Sequence, residues 1–204
     1  MSLSTAESEF LATYIVESDA IERIVRTKEG VLEQIKAYYP EGHVGAYGML
    51  TSFGGLLTGK LIREVQALIT SEQGVYGVRE LPRKWVGKWR DIGVSVGGRS
   101  CPHYATIPES MRKLIMQTQK WQKGDCIKMS REENIRFIAR MHYDYLRIHP
   151  FADGNGRSSR AITYFLFRYA RIPPILFEAH NRYETYYQCF EDPSDMERYF
   201  LTRS

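Results

Sequence analysis

The sequence predicts an all-α fold, mainly helical, with one small β-hairpin. Apolar residues recur at helical spacing along several long segments. Capping residues and prolines mark where these segments begin and end. A single short stretch alternates like a strand, and it stops at paired glycines. The length of 204 residues suits one domain, or one domain with a small appendage.

The first predicted helix covers residues 5–28, and Gly30 is its expected stop. Its apolar residues at helical spacing are Phe10, Tyr14, Ile21 and Ile24, with Leu11, Ile15 and Val25 widening the stripe. We therefore predict an N-terminal helical segment over residues 1–40, followed by the main domain over residues 41–204.

The main domain is predicted to alternate helices with short connections, although the glycine-rich residues 40–57 give no clear prediction. Pro108 begins one helix. Ser130 and Glu133 form a capping box for the next, and Pro150 stops it. The predicted helices cover residues 58–70, 108–123, 131–149, 155–169, 181–191 and 194–202.

The predicted hairpin lies within residues 85–98. Asp91-Ile92-Gly93 is a weak turn, and residues 94–96 alternate like a strand that ends at Gly97-Gly98.

The composition is that of a soluble globular protein, with 43% hydrophobic and 25% charged residues. No apolar run reaches the roughly 18 residues that a membrane span needs. The N-terminus is polar and acidic, unlike a signal peptide, so we expect no membrane partner. The odd number and wide spacing of the cysteines argue against a disulfide framework and a zinc site; they are Cys101, Cys126 and Cys189. The expected location is a reducing cytoplasm.

The net charge of +4 is a mild excess, and the basic residues are scattered rather than gathered in runs. Such an excess suits either nucleic acid or a small anion. The scattering favours the small anion, and no motif supports a nucleic-acid-binding module.

One segment has the residue types of a phosphate-binding catalytic loop. It reads His149-Pro150-Phe151-Ala152-Asp153-Gly154-Asn155-Gly156-Arg157-Ser158-Ser159-Arg160. Glycine permits backbone turns that point several N–H groups into one concavity. A helix that begins near Asn155 adds free N–H groups and a partial positive charge. These features together predict an anion site suited to phosphates.

Side chains of the same segment supply charge and chemistry. Arg157 and Arg160 lie on one face of the first helical turns, and arginine fits phosphate oxygens bidentately. Asp153 is a hard oxygen ligand of the kind that Mg²⁺ requires. His149 ends the preceding helix and can accept a proton near neutral pH. The alternative is a glycine-rich connector with an aspartate turn and two surface arginines.

Residues 149–160 resemble the Fic family, whose signature is His-x-Phe-x-(Asp/Glu)-Gly-Asn-Gly-Arg-x-x-Arg, and they match it at every specified position. The stretches Gly87-Lys88-Trp89-Arg90 and Val94-Ser95-Val96-Gly97-Gly98 look like the family's flap. The resemblance covers about residues 50–192 and implies a helical Fic fold with the flap as its hairpin.

The resemblance implies a protein adenylyltransferase, which transfers AMP from ATP to a Ser, Thr or Tyr hydroxyl of a target protein. His149 would deprotonate that hydroxyl, and Asp153 would hold Mg²⁺ on the α- and β-phosphates. The phosphates would be held by the backbone of Gly154, Asn155 and Gly156, with Arg157 on the β-phosphate and Arg160 on the γ-phosphate. The family's kinase-like branch has Lys in place of Gly156, which favours nucleotide transfer over phosphorylation.

The resemblance also implies how target and nucleotide would bind. The flap, residues 86–98, would pair with an extended target segment by strand addition, through Val94, Ser95 and Val96. Asn181-Arg182 ahead of Tyr186-Tyr187 resembles the family's helix beside the nucleotide, which makes Asn181, Tyr186 and Tyr187 candidate nucleotide contacts. A tyrosine there would stack on adenine, and packing in the core is the alternative.

Ser18-Asp19-Ala20-Ile21-Glu22 resembles the family's inhibitory motif, Ser/Thr-x-x-x-Glu-Gly/Asn, with Arg23 in place of the Gly or Asn. The resemblance implies that Glu22, with Ser18, pairs with Arg160 and displaces the γ-phosphate. Glu22 also falls on a largely apolar helix stripe, where a carboxylate needs a partner. The alternative is a surface pair between Glu22 and Arg26 at i,i+4.

The sequence leaves other functions open. An enzyme with this site could transfer another nucleotide or remove AMP. A non-catalytic nucleotide-binding regulator is an alternative from a different class, but it would not need the base His149. The sequence permits an oligomer without specifying one.

Overall fold

A computed structural model describes residues 3–204, which form helices and one antiparallel hairpin. The elements are α1 (Thr5–Ile21), α2 (Lys28–Lys36), α3 (Gly42–Ser52), α4 (Gly59–Ser71), β1 (Ser95–Val96), β2 (Arg99–Ser100), α5 (Ile107–Lys120), α6 (Arg131–Ile148), α7 (Asn155–Tyr169) and α8 (Pro193–Leu201). The predicted all-α class with one small hairpin is confirmed.

Helix α7 lies at the centre of the fold. Residues 161–167 are buried, and they include a hydrophobic run that continues around the helix. A helix that is apolar on all sides needs neighbours on all sides. These neighbours are α1, α3, α4 and α6, and α8 packs on α6. The N-terminus of α7, where the candidate site lies, is therefore held by the core of the protein.

The capping box predicted for α6 is present. The Ser130 hydroxyl accepts a hydrogen bond from the Glu133 N–H at 3.2 Å, and the Glu133 carboxylate accepts one from the Ser130 N–H at 2.7 Å. At the other end, His149 takes a left-handed conformation with φ 51° and ψ 64°. Pro150 follows and cannot continue the helix. The sequence therefore fixes both ends of the helix that leads into the catalytic loop.

The N-terminal helix is shorter than predicted. It ends at Ile21 rather than near residue 28, because Arg23 takes a left-handed conformation with φ 63°. Gly30 does not stop a helix but lies in the first turn of α2, where its N–H donates to the Thr27 hydroxyl at 3.2 Å. The last two residues of the predicted stripe, Ile24 and Val25, thus lie in the connection between α1 and α2, and Val25 is 85% exposed.

The glycine-rich stretch contains a helix, α3, that the sequence did not predict. Gly45 packs so closely on the Pro40 carbonyl that a side-chain carbon at this position would overlap it. The glycine is thus needed for close packing rather than for a turn. Two further segments differ from prediction: α5 passes into a π-helical turn at Trp121–Asp125, and residues 181–191 contain only a short 3₁₀ helix, Tyr186–Phe190.

The hairpin is present, but its turn lies at the glycines. Ser95 pairs with Ser100 and Val96 with Arg99. Gly97 and Gly98 have φ 55° and 79°, the positive values that a tight two-residue hairpin turn requires. Residues 85–90, which the predicted hairpin region also included, contain no strand, and the second strand, β2, follows the glycines instead.

The first helix contributes to the same hydrophobic core as the rest of the chain. Leu11, Tyr14 and Ile15 are buried within it. The division between residues 1–40 and 41–204 therefore stays a prediction. Along residues 3–204, no helix is both long enough and apolar enough to cross a bilayer.

Candidate functional site

His149 connects α6 to the catalytic loop, residues 149–160. Its backbone N–H donates to the Tyr145 carbonyl at 3.0 Å, which closes the last turn of α6. Burial is the main cause that lowers the pKa of His149 below its usual 6.5, and the nearby Arg90 charge adds to it. Contact with the Leu146 backbone and the Glu22 and Asp153 carboxylates opposes this shift. The imidazole is therefore neutral near pH 7 and able to accept a proton.

The loop after His149 is held in shape by the Asn155 side chain. Its amide oxygen accepts from the Phe151 N–H at 2.8 Å, and its amide nitrogen donates to the Phe151 carbonyl at 2.9 Å. Phe151 itself is fully buried, with its ring centroid 4.9 Å from that of Trp89. Asn155 thus has a structural role in its side chain, beyond the backbone role that the sequence predicted.

Asp153 lies where the loop turns toward α7. One carboxylate oxygen accepts from the Gln73 amide at 2.6 Å, and the other accepts from the Gly154 N–H at 2.6 Å. The second oxygen is also 3.6 Å from the Arg157 guanidinium. Within residues 3–204 no group of three or more His, Cys, Asp or Glu side chains is arranged around a common point. A metal ion here would thus take one protein carboxylate and its remaining ligands from elsewhere.

The N-terminus of α7 is open to an anion. Gly154 precedes it with φ 79°, and no side chain caps the helix. A side-chain carbon at Gly154 would lie 2.9 Å from the Thr70 methyl group, and one at Gly156 would overlap the Glu22 carboxylate. Gly154 is therefore required by its positive φ and by close approach, whereas a side chain at Gly156 would meet the movable end of Glu22. The uncapped N–H groups and the helix dipole favour negative charge at this point.

The two loop arginines differ in their contacts. Arg157 is 3% exposed, and its Nε has no hydrogen-bond partner among the described residues. Arg160 is fully buried; its Nε donates to the Ser18 hydroxyl and its Nη2 to the Ser18 carbonyl, each at 2.9 Å. Besides the Asp153 carboxylate at 3.6 Å, Arg157 thus has a buried Nε donor without a partner among the described residues. Such a donor is costly and favours an anionic ligand.

Glu22 lies against the anion site. Its carboxylate accepts from Arg160 Nη2 at 2.8 Å, and it occupies the space above Gly156. Burial by itself would lower the pKa of Arg160, but the Glu22 charge reverses this and the pKa is raised. The alternative pair with Arg26 is absent, because Arg26 lies 3.5 Å from Asp19 and 3.4 Å from Glu72. Ser18, Glu22 and Arg160 thus meet as the motif predicted.

The sequence model of the Fic/DOC family matches residues 56–167, more than half of the chain. The chain belongs to the Fic/DOC family. The matched stretch contains α4, the hairpin, α5, α6 and most of α7. It therefore includes the whole catalytic loop, whereas α1 with Glu22 lies outside it.

Relatives and solved structures agree with this membership. The chain is 31% identical over 100 residues to "Protein adenylyltransferase Fic" of Culex quinquefasciatus, a match of 49% of this chain and 19% of the relative. It thus spans about a fifth of that relative. A Fic domain containing signaling protein from Bacteroides thetaiotaomicron has a TM-score of 0.67 at 21% identity, covering 96% of this chain and 79% of that one. The BepC protein from Bartonella tribocorum, solved with bound AMPPNP, has a TM-score of 0.52 at 14% identity and covers 88% of each chain.

The predicted target-binding residues of this Fic chain lie at the surface. Val96 is 52% exposed in β1, Ser95 beside it is also exposed, and Val94 is half-buried with its carbonyl accepting from the Cys101 N–H at 2.9 Å. The tip of the hairpin is joined to the chain near the 3₁₀ helix by Arg99, which binds Glu191 at 2.9 and 3.0 Å. The hairpin therefore presents an accessible strand edge.

The predicted nucleotide contacts near the C-terminus differ in accessibility. Tyr186 is 1% exposed, and its hydroxyl lies 2.8 Å from the buried His142. The core-packing alternative therefore applies to Tyr186, because adenine stacking needs an accessible ring face. Tyr187 is half-buried with its hydroxyl 3.5 Å from the Ile21 carbonyl, and Asn181 accepts from Thr185. These two residues stay candidates.

Three residues of the site were not found from the sequence. Gln73 binds the Asp153 carboxylate, and Gln66 binds the Asp153 carbonyl at 3.1 Å. Arg90 binds the His149 carbonyl at 2.8 Å. A signal was present for Gln66, since it is a polar residue on the apolar face of α4 and is fully buried. A buried amide of this kind indicates a specific hydrogen-bond partner.

Proposed function

We propose that this chain is a protein adenylyltransferase that transfers AMP from ATP to a hydroxyl side chain of a target protein. The observation that carries the proposal is the neutral His149 beside an uncapped helix N-terminus flanked by Arg157 and Arg160. The names of the curated relatives support it. So does the ATP analogue AMPPNP bound to BepC, whose solved structure has the same fold.

The proposed reaction assigns each side chain a step. The target hydroxyl oxygen attacks the α-phosphorus, and His149 accepts the hydroxyl proton. The bond from the α-phosphorus to the bridging oxygen breaks, and pyrophosphate leaves with the electron pair. Arg157 and the N–H groups at the start of α7 neutralise charge on the phosphates. Catalysis then depends mainly on positioning and electrostatic stabilisation, as in other phosphoryl chemistry.

We propose Mg²⁺ as the metal that accompanies ATP. A single protein carboxylate with substrate phosphates is a common Mg²⁺ environment, and Asp153 offers such a carboxylate at the loop. The ion would neutralise phosphate charge. Gln73 and the Gly154 N–H already orient the carboxylate, so the donor set fits.

We propose that Glu22 inhibits the enzyme. A carboxylate that binds Arg160 and covers Gly156 occupies space beside the start of α7 that a terminal phosphate would need. The end of α1 is also anchored, because the buried Asp19 lies 2.9 Å from the His43 imidazole of α3. ATP would then bind without its γ-phosphate in the productive position until Glu22 moves away.

We propose further that the flap binds an extended target segment along Val94, Ser95 and Val96 by strand addition. The exposed edge of the hairpin supports this mode.

We propose a cytoplasmic location, in keeping with the free thiols of Cys101, Cys126 and Cys189.

Labelled ATP tests the proposal. Purified Glu22→Gly protein is incubated with a cell lysate and ATP labelled at either the α- or the γ-phosphate. We expect protein-bound label from α-labelled ATP alone, and its loss in the Glu22→Gly/His149→Ala double variant. Label from the γ-position would indicate phosphorylation instead. No label from either position would overturn the proposal, and release of AMP from premodified protein would indicate the reverse reaction.

A further inference from the structure

Arg90 is a buried cation with no carboxylate partner among the described residues. It is 2% exposed, and its side chain donates only to backbone carbonyls. Charged side chains are almost never buried to this degree unless they are paired. Burial lowers the pKa of Arg90, in keeping with the missing counter-charge. Because burying Arg90 is costly, we expect its hydrogen-bond partners to show a specific role.

The guanidinium binds three separate points of the backbone. Its Nε donates to the His149 carbonyl at 2.8 Å, its Nη1 to the Ile92 carbonyl at 2.7 Å, and its Nη2 to the Pro102 carbonyl at 2.7 Å. Ile92 lies on the segment that enters the hairpin, and Pro102 on the segment that leaves it. One side chain therefore joins both stems of the flap to the residue that carries the proposed base.

Three further hydrogen bonds join the same regions. The backbone N–H of Arg90 donates to the Pro150 carbonyl at 2.9 Å. The buried Gln66 amide accepts from the Gly87 N–H at 2.6 Å and donates to the Asp153 carbonyl at 3.1 Å. The base of the flap is therefore connected to the first half of the catalytic loop at His149, Pro150 and Asp153.

His149 needs such support because of its conformation. A residue other than glycine at φ 51° is uncommon, and it persists only where the surroundings hold it. The carbonyl that Arg90 binds belongs to this left-handed residue, so the bond fixes the peptide plane that follows the imidazole. A change in that plane would turn the imidazole away from the target hydroxyl.

We infer that Arg90 is a positioning residue that sets the distance between the target strand on the flap and the His149 imidazole. The inference rests on the proposed function, since it concerns the alignment of a target hydroxyl with the base. ATP binds elsewhere, at the start of α7 and at Arg157, so Arg90 acts on the target side of the reaction. The planar guanidinium is essential because three donors must reach three carbonyls, which a lysine ammonium cannot reproduce in one plane.

Kinetics of AMP transfer test this inference in the Glu22→Gly background, with label transferred to lysate proteins as the readout. We expect Arg90→Gln and Arg90→Lys to lower kcat about 10²-fold, the effect of misplacing a catalytic group by about 1 Å. The KM for ATP should stay within about twofold, and free guanidinium should restore part of the activity of Arg90→Ala. Arg83→Gln, at an exposed arginine that precedes the flap, is the matched control and should retain parental kinetics. Parental kcat in both Arg90 variants, or a KM for ATP that rises in step with the loss of kcat, would overturn the inference.

A readout without turnover separates this inference from the proposed function. NMR spectra of protein labelled in its histidine rings report the position of His149 in the absence of nucleotide and target. We expect Arg90→Lys to shift or broaden the His149 ring signals, while those of the exposed His180 stay unchanged. If Arg90→Lys shifts the His149 signals but the parent protein transfers no AMP, the proposed function is refuted and the positioning role is retained. Unchanged His149 signals would overturn that role.

Discussion

The end of α1 and the base of the flap both contact the catalytic loop, but through bonds of different kinds. Glu22 binds Arg160 through an ion pair whose carboxylate is 35% exposed. Arg90, whose side chain is 2% exposed, binds the His149 carbonyl through a hydrogen bond to the backbone. A phosphate can replace a carboxylate on a guanidinium, whereas no group of ATP replaces a backbone carbonyl. The first contact is therefore exchangeable, and the second is permanent.

The exchangeable contact gives the largest expected effect. We predict that Glu22→Gly raises AMP transfer about 10²-fold, within the range of 5–150-fold that corresponds to typical couplings between sites. Glu22→Gln keeps a hydrogen bond to Arg160 but loses the charge, so its rate of AMP transfer should lie between those of wild type and Glu22→Gly. The measurement is incorporation of α-labelled AMP into lysate proteins. Glu29→Gln, an exposed acidic position on α2, is the control, and equal activity in Glu22→Gly and wild type would refute the exchange.

The permanent contacts should show in stability. Gln66→Leu leaves the Gly87 N–H and the Asp153 carbonyl without their partner. Each unsatisfied buried group costs about 1–3 kcal/mol, so we predict a loss of about 2 kcal/mol in the free energy of unfolding, measured by chemical denaturation. Gln117→Leu, a substitution at an exposed position on α5, serves as the control. A loss no larger than that of the control would show that the flap base is not held as described.

The smallest expected effect is a shift in the pH dependence of activity, because both Glu22 and Arg90 act on the pKa of His149. Because burial lowers the pKa of His149 and only the neutral imidazole accepts a proton, activity should fall with decreasing pH at a point below 6.5. The Glu22 carboxylate stabilises the imidazolium and so raises this pKa. Removing it in Glu22→Gly should move the acidic limb of kcat/KM to lower pH. A limb that moves to higher pH would show that Glu22 does not act on His149 in this way.

The catalytic loop could be predicted because its chemistry is local in sequence. His149, Asp153, Arg157 and Arg160 fall within twelve residues, and helical periodicity places the arginines on one face. The capping box at Ser130 was predictable for the same reason. The spacing of residues within a short segment does not depend on how the rest of the chain packs.

Features that depend on long-range packing could not be predicted. The sequence placed Arg90 only within the stretch that resembles the flap, and only the fold brings it to His149, 59 residues away. Tyr186 was a candidate for adenine because an aromatic residue suits either a pocket or a core, and tertiary packing placed it beside His142. Helix α1 ends at Ile21 because Arg23 turns left-handed, which propensity does not indicate.

The ion pair between Glu22 and Arg160 joins two parts of one polypeptide. Two groups of one folded chain meet at an effective concentration that the fold sets, not the amount of protein in solution. That value is the same in a dilute solution and in a crowded one. Diluting the protein therefore leaves unchanged the fraction of molecules in which Arg160 is free of Glu22. Only an anion that competes for the Arg160 guanidinium, or a movement of α1, changes that fraction.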